Sequence, residues 1–260
     1  MLRLAAVLAF TTVLAACGSS VEESADGASV RALAAPAAPV RPSGRLQAAD
    51  GRSSFAIVDG DLRRFSTQTG KMTRTYPLSG PWQLSAISAT GAWVALQRAK
   101  TEVLVLDTKR GTVAHRLRLR GNFRAEAVAA AGDFLFLQQN FVDGSYAVRG
   151  YDLAAGQLLP GSLGRKGETV RMQGDAGQVV ASSDGRWLLT VYVETTMNTA
   201  FVHALNLIER LAICIPLPPC KQCGADDWTL ALAADRRTLR ATNASGRRAE
   251  IDLALGRVVA

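Results

Sequence analysis

Three cysteines close together, Cys214, Cys220 and Cys223, with His203 upstream, are the densest reactive side chains in the chain. They stand in Cys214-Ile215-Pro216-Leu217-Pro218-Pro219-Cys220-Lys221-Gln222-Cys223-Gly224-Ala225-Asp226-Asp227. Outside the cytoplasm thiols pair. One disulfide, Cys214 with Cys220 or Cys223, would staple this stretch as a long loop and leave one thiol over. A second chemistry is a Cys₃His zinc site from Cys214, Cys220, Cys223 and His203, since thiolates at Cys-x-x-Cys spacing suit tetrahedral zinc. That site lacks the usual second Cys-x-x-Cys pair. A third is thiol redox at Cys220-Lys221-Gln222-Cys223. This pair follows two prolines rather than opening a helix, where low thiol pKa values are usually arranged. The disulfide is the leading expectation, with no metal and no cofactor.

Other reactive side chains are sparse. His115 and His203 are the only histidines, and each lies inside an extended run, where it fills or edges a strand. Asp226-Asp227 alone supplies too few oxygens for calcium. Asp107, Asp152 and Asp252 each precede a Gly by four residues and read as turn formers. No Gly-x-Ser-x-Gly elbow supports a hydrolase nucleophile, and no phosphate loop or dinucleotide fingerprint occurs. No catalytic residue is assigned. Trp82, Trp93, Trp187 and Trp228 fall at or inside strand-like runs and read as core. Asn243-Ala244-Ser245 matches a glycosylation sequon.

The formal charge is +8 with 20% charged residues, and the basic residues are dispersed as doublets such as Arg63-Arg64, Arg236-Arg237 and Arg247-Arg248 beside turns. That is a solvated surface with mild attraction to anionic envelope material. No aromatics interleave the basic residues, so a nucleic-acid partner is not expected.

The elements that must position these side chains begin with a leader. Arg3 is followed by an apolar run, Leu4 to Val13, shorter than the ~20 residues a membrane span needs. It ends in Leu14-Ala15-Ala16-Cys17, which resembles the lipobox of bacterial lipoproteins. The resemblance implies that residues 1–17 carry the signal, that Cys17 becomes the lipidated first residue, and that the chain hangs on a cell or outer membrane on the extracytoplasmic side. Residues 18–50, rich in Ala and Ser with Pro36, Pro39 and Pro42, read as a flexible to semi-rigid tether.

From about residue 51 to 260 the apolar pattern alternates with period two, broken by Asp-Gly and similar turns. The clearest copy is Ser182-Ser183-Asp184-Gly185-Arg186-Trp187 running on to Val193, then Ala200 to Leu207. Asp107-x-x-x-Gly111, Asp152-x-x-x-Gly156 and Asp252-x-x-x-Gly256 mark a shared register, with Asn206-x-x-x-Arg210 in the remaining place. A period of about 40–50 residues with four short strands per unit is the pattern of propeller blades. Ala234-Asp235-Arg236-Arg237-Thr238 to Asn243, like Ser183 to Val193, resembles the YVTN-type, WD40-like β-propeller repeat. It departs from that repeat in lacking Gly after Asp235 and Pro before each Asp.

The expected fold is all-β, a propeller of about five four-stranded blades, with a two-sheet sandwich as the alternative. Closure of the last blade by a strand near Gly44 to Ala49 is one option, and a partial ring pairing with another copy is a second. Monomer and homo-oligomer stay open. The expected function is a membrane-anchored extracytoplasmic binding or scaffolding module for an envelope protein or polymer. The alternatives are an activity of the propeller lactonase or hydrolase kind, which the resemblance also allows, and a zinc or thiol protein centred on residues 214–223.

Overall fold

A computed structural model describes residues 44–164, 171–220 and 223–260. The leader, Cys17 and the tether up to residue 43 lie outside the described residues, as do Lys221 and Gln222.

Among the described residues twenty strands form five sheets, each of four antiparallel strands in chain order. Sheet 1 holds β1 (Arg45–Gln47), β2 (Ser53–Val58), β3 (Asp61–Ser66) and β4 (Met72–Tyr76). Sheet 2 holds β5 (Gln83–Ile87), β6 (Trp93–Arg98), β7 (Glu102–Asp107) and β8 (Thr112–Arg118). Sheet 3 holds β9 (Phe123–Val128), β10 (Phe134–Asn140), β11 (Tyr146–Asp152) and β12 (Gln157–Leu158). Sheet 4 holds β13 (Asp175–Ala181), β14 (Trp187–Glu194), β15 (Thr199–Asn206) and β16 (Leu211–Pro216). Sheet 5 holds β17 (Trp228–Leu232), β18 (Thr238–Asn243), β19 (Arg248–Asp252) and β20 (Arg257–Val258). Five consecutive four-stranded meanders make a five-bladed propeller and not a two-sheet sandwich.

Alternation dictates how the blades join. Each strand sends one set of side chains to the sheet before it and the other set to the sheet after it. Phe55, Leu62 and Tyr76 of sheet 1 meet Val94 and Leu104 of sheet 2, together with Trp82 just before β5. Val103, Val105 and Leu117 then meet Phe123, Leu135 and Leu137. Phe134, Phe136 and Tyr146 meet Tyr192, Phe201 and Leu205. Leu189, Val191 and Val202 meet Trp228, Leu239 and Ile251. Among the described residues no apolar cluster joins sheet 5 to sheet 1. The far face of sheet 5 is polar, with the exposed pair Arg240–Glu250 at 2.8 Å.

The Asp turns behave as their sequence requires. Asp107 Oδ1 accepts from the Lys109 and Arg110 amides, and Asp252 Oδ1 from those of Ala254 and Leu255. Asn206 Oδ1 accepts from the Ile208 and Glu209 amides. Each turn closes four residues on in the left-handed region, at Gly111 (φ 79°), Gly256 (φ 62°) and, without glycine, Arg210 (φ 58°). Arg236 takes the glycine's place after Asp235 in the same way, at φ 57°.

Two expectations change and one strand is new. Arg45–Gln47 neither belongs to the tether nor closes the last sheet; it pairs with β2 as the inner strand of sheet 1. The inner strand β13 was not legible, because Gly177 and the polar residues around it break the alternation. Cys214 lies inside β16, paired with β15, and not in a loop.

Candidate functional site

Strand alternation takes the four residues of the zinc reading apart. On β16, Ile215 faces sheet 5 and Cys214 faces sheet 3. Past Pro216 the chain continues on the sheet 5 side, where Cys220 is buried. Cys220 is bonded to Cys223, with Cα atoms 5.7 Å apart. The disulfide therefore forms within Cys-x-x-Cys, and the expected pairing of Cys214 with either does not occur. Asn243 Nδ2 donates to Cys220 Sγ at 3.2 Å, and Asn243 Oδ1 accepts from Ser245 Oγ and the Arg247 amide. The sequon asparagine is thereby committed to holding the disulfide segment. A redox pair here would have to act from a buried Cys220. Among the described residues no three of His, Cys, Asp or Glu come together in a metal-binding group.

The unexpected site is on the other face of sheet 4. The inner strands of sheets 2, 3 and 4 each carry a β-bulge, in which two residues oppose one. A bulge redirects its extra side chain, and here each one reaches for the following sheet. In sheet 2, Ser85 Oγ donates to the Ala125 carbonyl of sheet 3 at 2.6 Å. In sheet 4, Gln178 Oε1 accepts the Leu230 amide of sheet 5 at 2.6 Å. In sheet 3 the extra residue is Glu126, and it meets a histidine instead.

Glu126 Oε1 lies 3.9 Å from His203 Nδ1, with the two side chains 2% and 0% exposed. Neither ring nitrogen of His203 nor Glu126 Oε2 makes a hydrogen bond among the described residues. Burial lowers the His203 pKa and the neighbouring carboxyl only partly opposes it, so the ring is neutral near pH 7. Tyr146 and Tyr192 pack about the imidazole, with ring centroids 6.2 and 5.9 Å away. Burial, then Tyr192, Cys214 and Glu126, hold the Tyr146 phenol well above its usual range. Next to His203 across the β15–β16 ladder is Cys214, whose thiol donates to Met172 Sδ at 3.1 Å. Met172 is buried and bridges to Tyr146. A histidine inside an extended run is ordinarily a strand filler; what marks His203 is Glu126, which the bulge turns toward sheet 4. His115 is on the outer strand β8, half-buried opposite Val105.

Openings between the described residues lie on the rim that carries the turns. One, of about 340 Å³, is walled by the inner strands of sheets 1 to 4, through residues such as Leu46, Ala86, Ala127 and Val179. Glu126 contributes to this wall. Another, of about 670 Å³, is a cleft between sheets 4 and 5. Its walls are Asp184, Arg186, Glu209, Asp235, Arg236 and Arg237, over a floor of Trp187 and Ile213. Arg186 pairs with Glu209 at 3.3 Å and Arg236 with Asp184 at 4.0 Å. The amides of Thr238 and Arg237 hold the Asp235 carboxyl below its usual range. Of the tryptophans, Trp82, Trp187 and Trp228 are buried, as the core reading expected.

No protein-family model matches the chain. No curated protein matches it. Among solved structures, the chain is similar to the Kuenenia stuttgartiensis hydrazine synthase at 13% identity, covering 85% of this chain and 80% of that one, with a TM-score of 0.44.

Proposed function

We propose that this chain is a lipid-anchored, extracytoplasmic propeller that binds an envelope protein or polymer at its turn rim, as a binding or scaffolding module without catalysis. The observation that carries this reading is the cleft between sheets 4 and 5. It is wide, and it is walled by three arginines and three carboxylates from three different turns. Turn residues held by a rigid scaffold are where contacts concentrate, and mixed charges over an apolar floor suit a polar polymer or peptide segment. The anchor rests on the Leu14-Ala15-Ala16-Cys17 motif, which lies outside the described residues.

The test is site-specific photo-crosslinking from Arg237 in intact cells, with an outer-strand position such as Thr229 as the comparison. A discrete adduct from residue 237 that disappears in Arg236→Ala/Arg186→Ala supports the reading. Equal or absent crosslinking at both positions removes it. The anchor is tested separately by Cys17→Ser, which should move the protein out of the membrane fraction.

A further inference from the structure

The interface between sheets 3 and 4 gathers three metal-seeking atoms that the rim reading does not use. They are the Cys214 thiol, the Met172 thioether and the imidazole of His203. We propose that they form a site for one soft monovalent cation, Cu(I).

The argument runs from ligand chemistry. Thiolate and thioether sulfur select Cu(I), and imidazole suits copper as well. The two sulfurs already touch, at 3.1 Å. His203 and Cys214 are direct cross-strand partners, which places their Cβ atoms about 4.5–5.5 Å apart. A metal-bound histidine usually turns its second ring nitrogen to a carboxylate. Here Nδ1 already faces Glu126 at 3.9 Å, leaving Nε2 to the ion. The imidazole is fully buried with both nitrogens unpartnered among the described residues, an expense that a ligand would remove.

Charge points the same way. Loss of the Cys214 proton and gain of Cu⁺ leaves the thiolate–copper unit neutral, so no net charge is added between the sheets. A divalent ion at the same three ligands would add one. Cys214 is only partly buried, which gives the ion a route in. The site is separate from the disulfide, which faces sheet 5.

The experiment uses the full chain purified from membranes without thiol reductant, with Cu(I) maintained by ascorbate and competed against bicinchoninate. Cys17 and the Cys220–Cys223 disulfide are common to all samples, so differences between variants isolate the site. The wild type should hold one Cu(I), more tightly as pH rises because a thiol proton is released. Cys214→Ser, Met172→Leu and His203→Gln should each lower affinity at least tenfold. Met172→Leu keeps the core volume, and its circular dichroism and melting should match the wild type. No Cu(I) retained by the wild type, or wild-type affinity in any one variant, overturns the assignment.

Discussion

Glu126 Oε1 stands 3.9 Å from His203 Nδ1 across the boundary of sheets 3 and 4, and both side chains are buried. The neighbouring boundaries are bridged by hydrogen bonds at bulge residues: Ser85 Oγ donates to the Ala125 carbonyl, and Gln178 Oε1 accepts from the Leu230 amide. The middle boundary has a carboxyl and an imidazole without one. A titratable pair has replaced a structural latch.

Stability should therefore fall in mild acid. The folded-state pKa of His203 lies below its ordinary 6.5, so the unfolded chain takes up the proton first. The stabilisation is whole above about 6.5 and is lost as pH drops from there through the lowered folded value. Asp143, Asp184 and Asp235 are lowered from 3.8, and their losses come at lower pH. Denaturant midpoints between pH 7.5 and 5 should decline for the wild type and stay nearly flat for His203→Gln. A flat wild-type profile would remove the effect from His203.

Gly132→Ala should destabilise strongly. The residue sits at φ 74°, and an added Cβ would come within 2.0 Å of the Trp93 ring from sheet 2. The left-handed backbone costs roughly 1–2 kcal/mol and the overlap about 1–3 more. Gly156→Ala, at φ 70° with open space around it, bears only the first cost. Chemical denaturation of the two variants should separate them by at least the overlap.

Arg236→Gly should stabilise. It relieves a left-handed non-glycine residue worth roughly 1–2 kcal/mol, against an unfolded-state entropy loss of about 0.4–1 kcal/mol. The exposed contact with Asp184 at 4.0 Å adds little. A net gain of about 0.5 kcal/mol in a denaturant titration is expected.

Cys220→Ser should cost about 2 kcal/mol on the chain-entropy account of a short loop. Alkylation of the denatured, unreduced protein should mark Cys214 and leave Cys220 and Cys223 unmarked, read by peptide mass. Label on either of those two would place the bond elsewhere.

The sequence by itself determined the blades. Period-two runs between Asp-Gly and Asp-x-x-x-Gly turns are local signals, because a turn oxygen bonds amides only two or three residues away. Even the register through Asn206 and Arg210, where glycine is missing, followed from that spacing. β13 escaped because a bulge erases alternation, and the strand character of Leu211–Pro216 was hidden by the prolines after it. Residue types also exposed the thiols, but not their partners. Which cysteines meet depends on the face each occupies, and alternation on β16 sends Cys214 to sheet 3 while the chain past Pro216 stays on the side of sheet 5. Glu126 and His203 lie on strands of different sheets, and only stacking one sheet on the next brings them within reach. Such a contact between distant residues leaves no spacing in the chain to read, so the tertiary structure alone decided it.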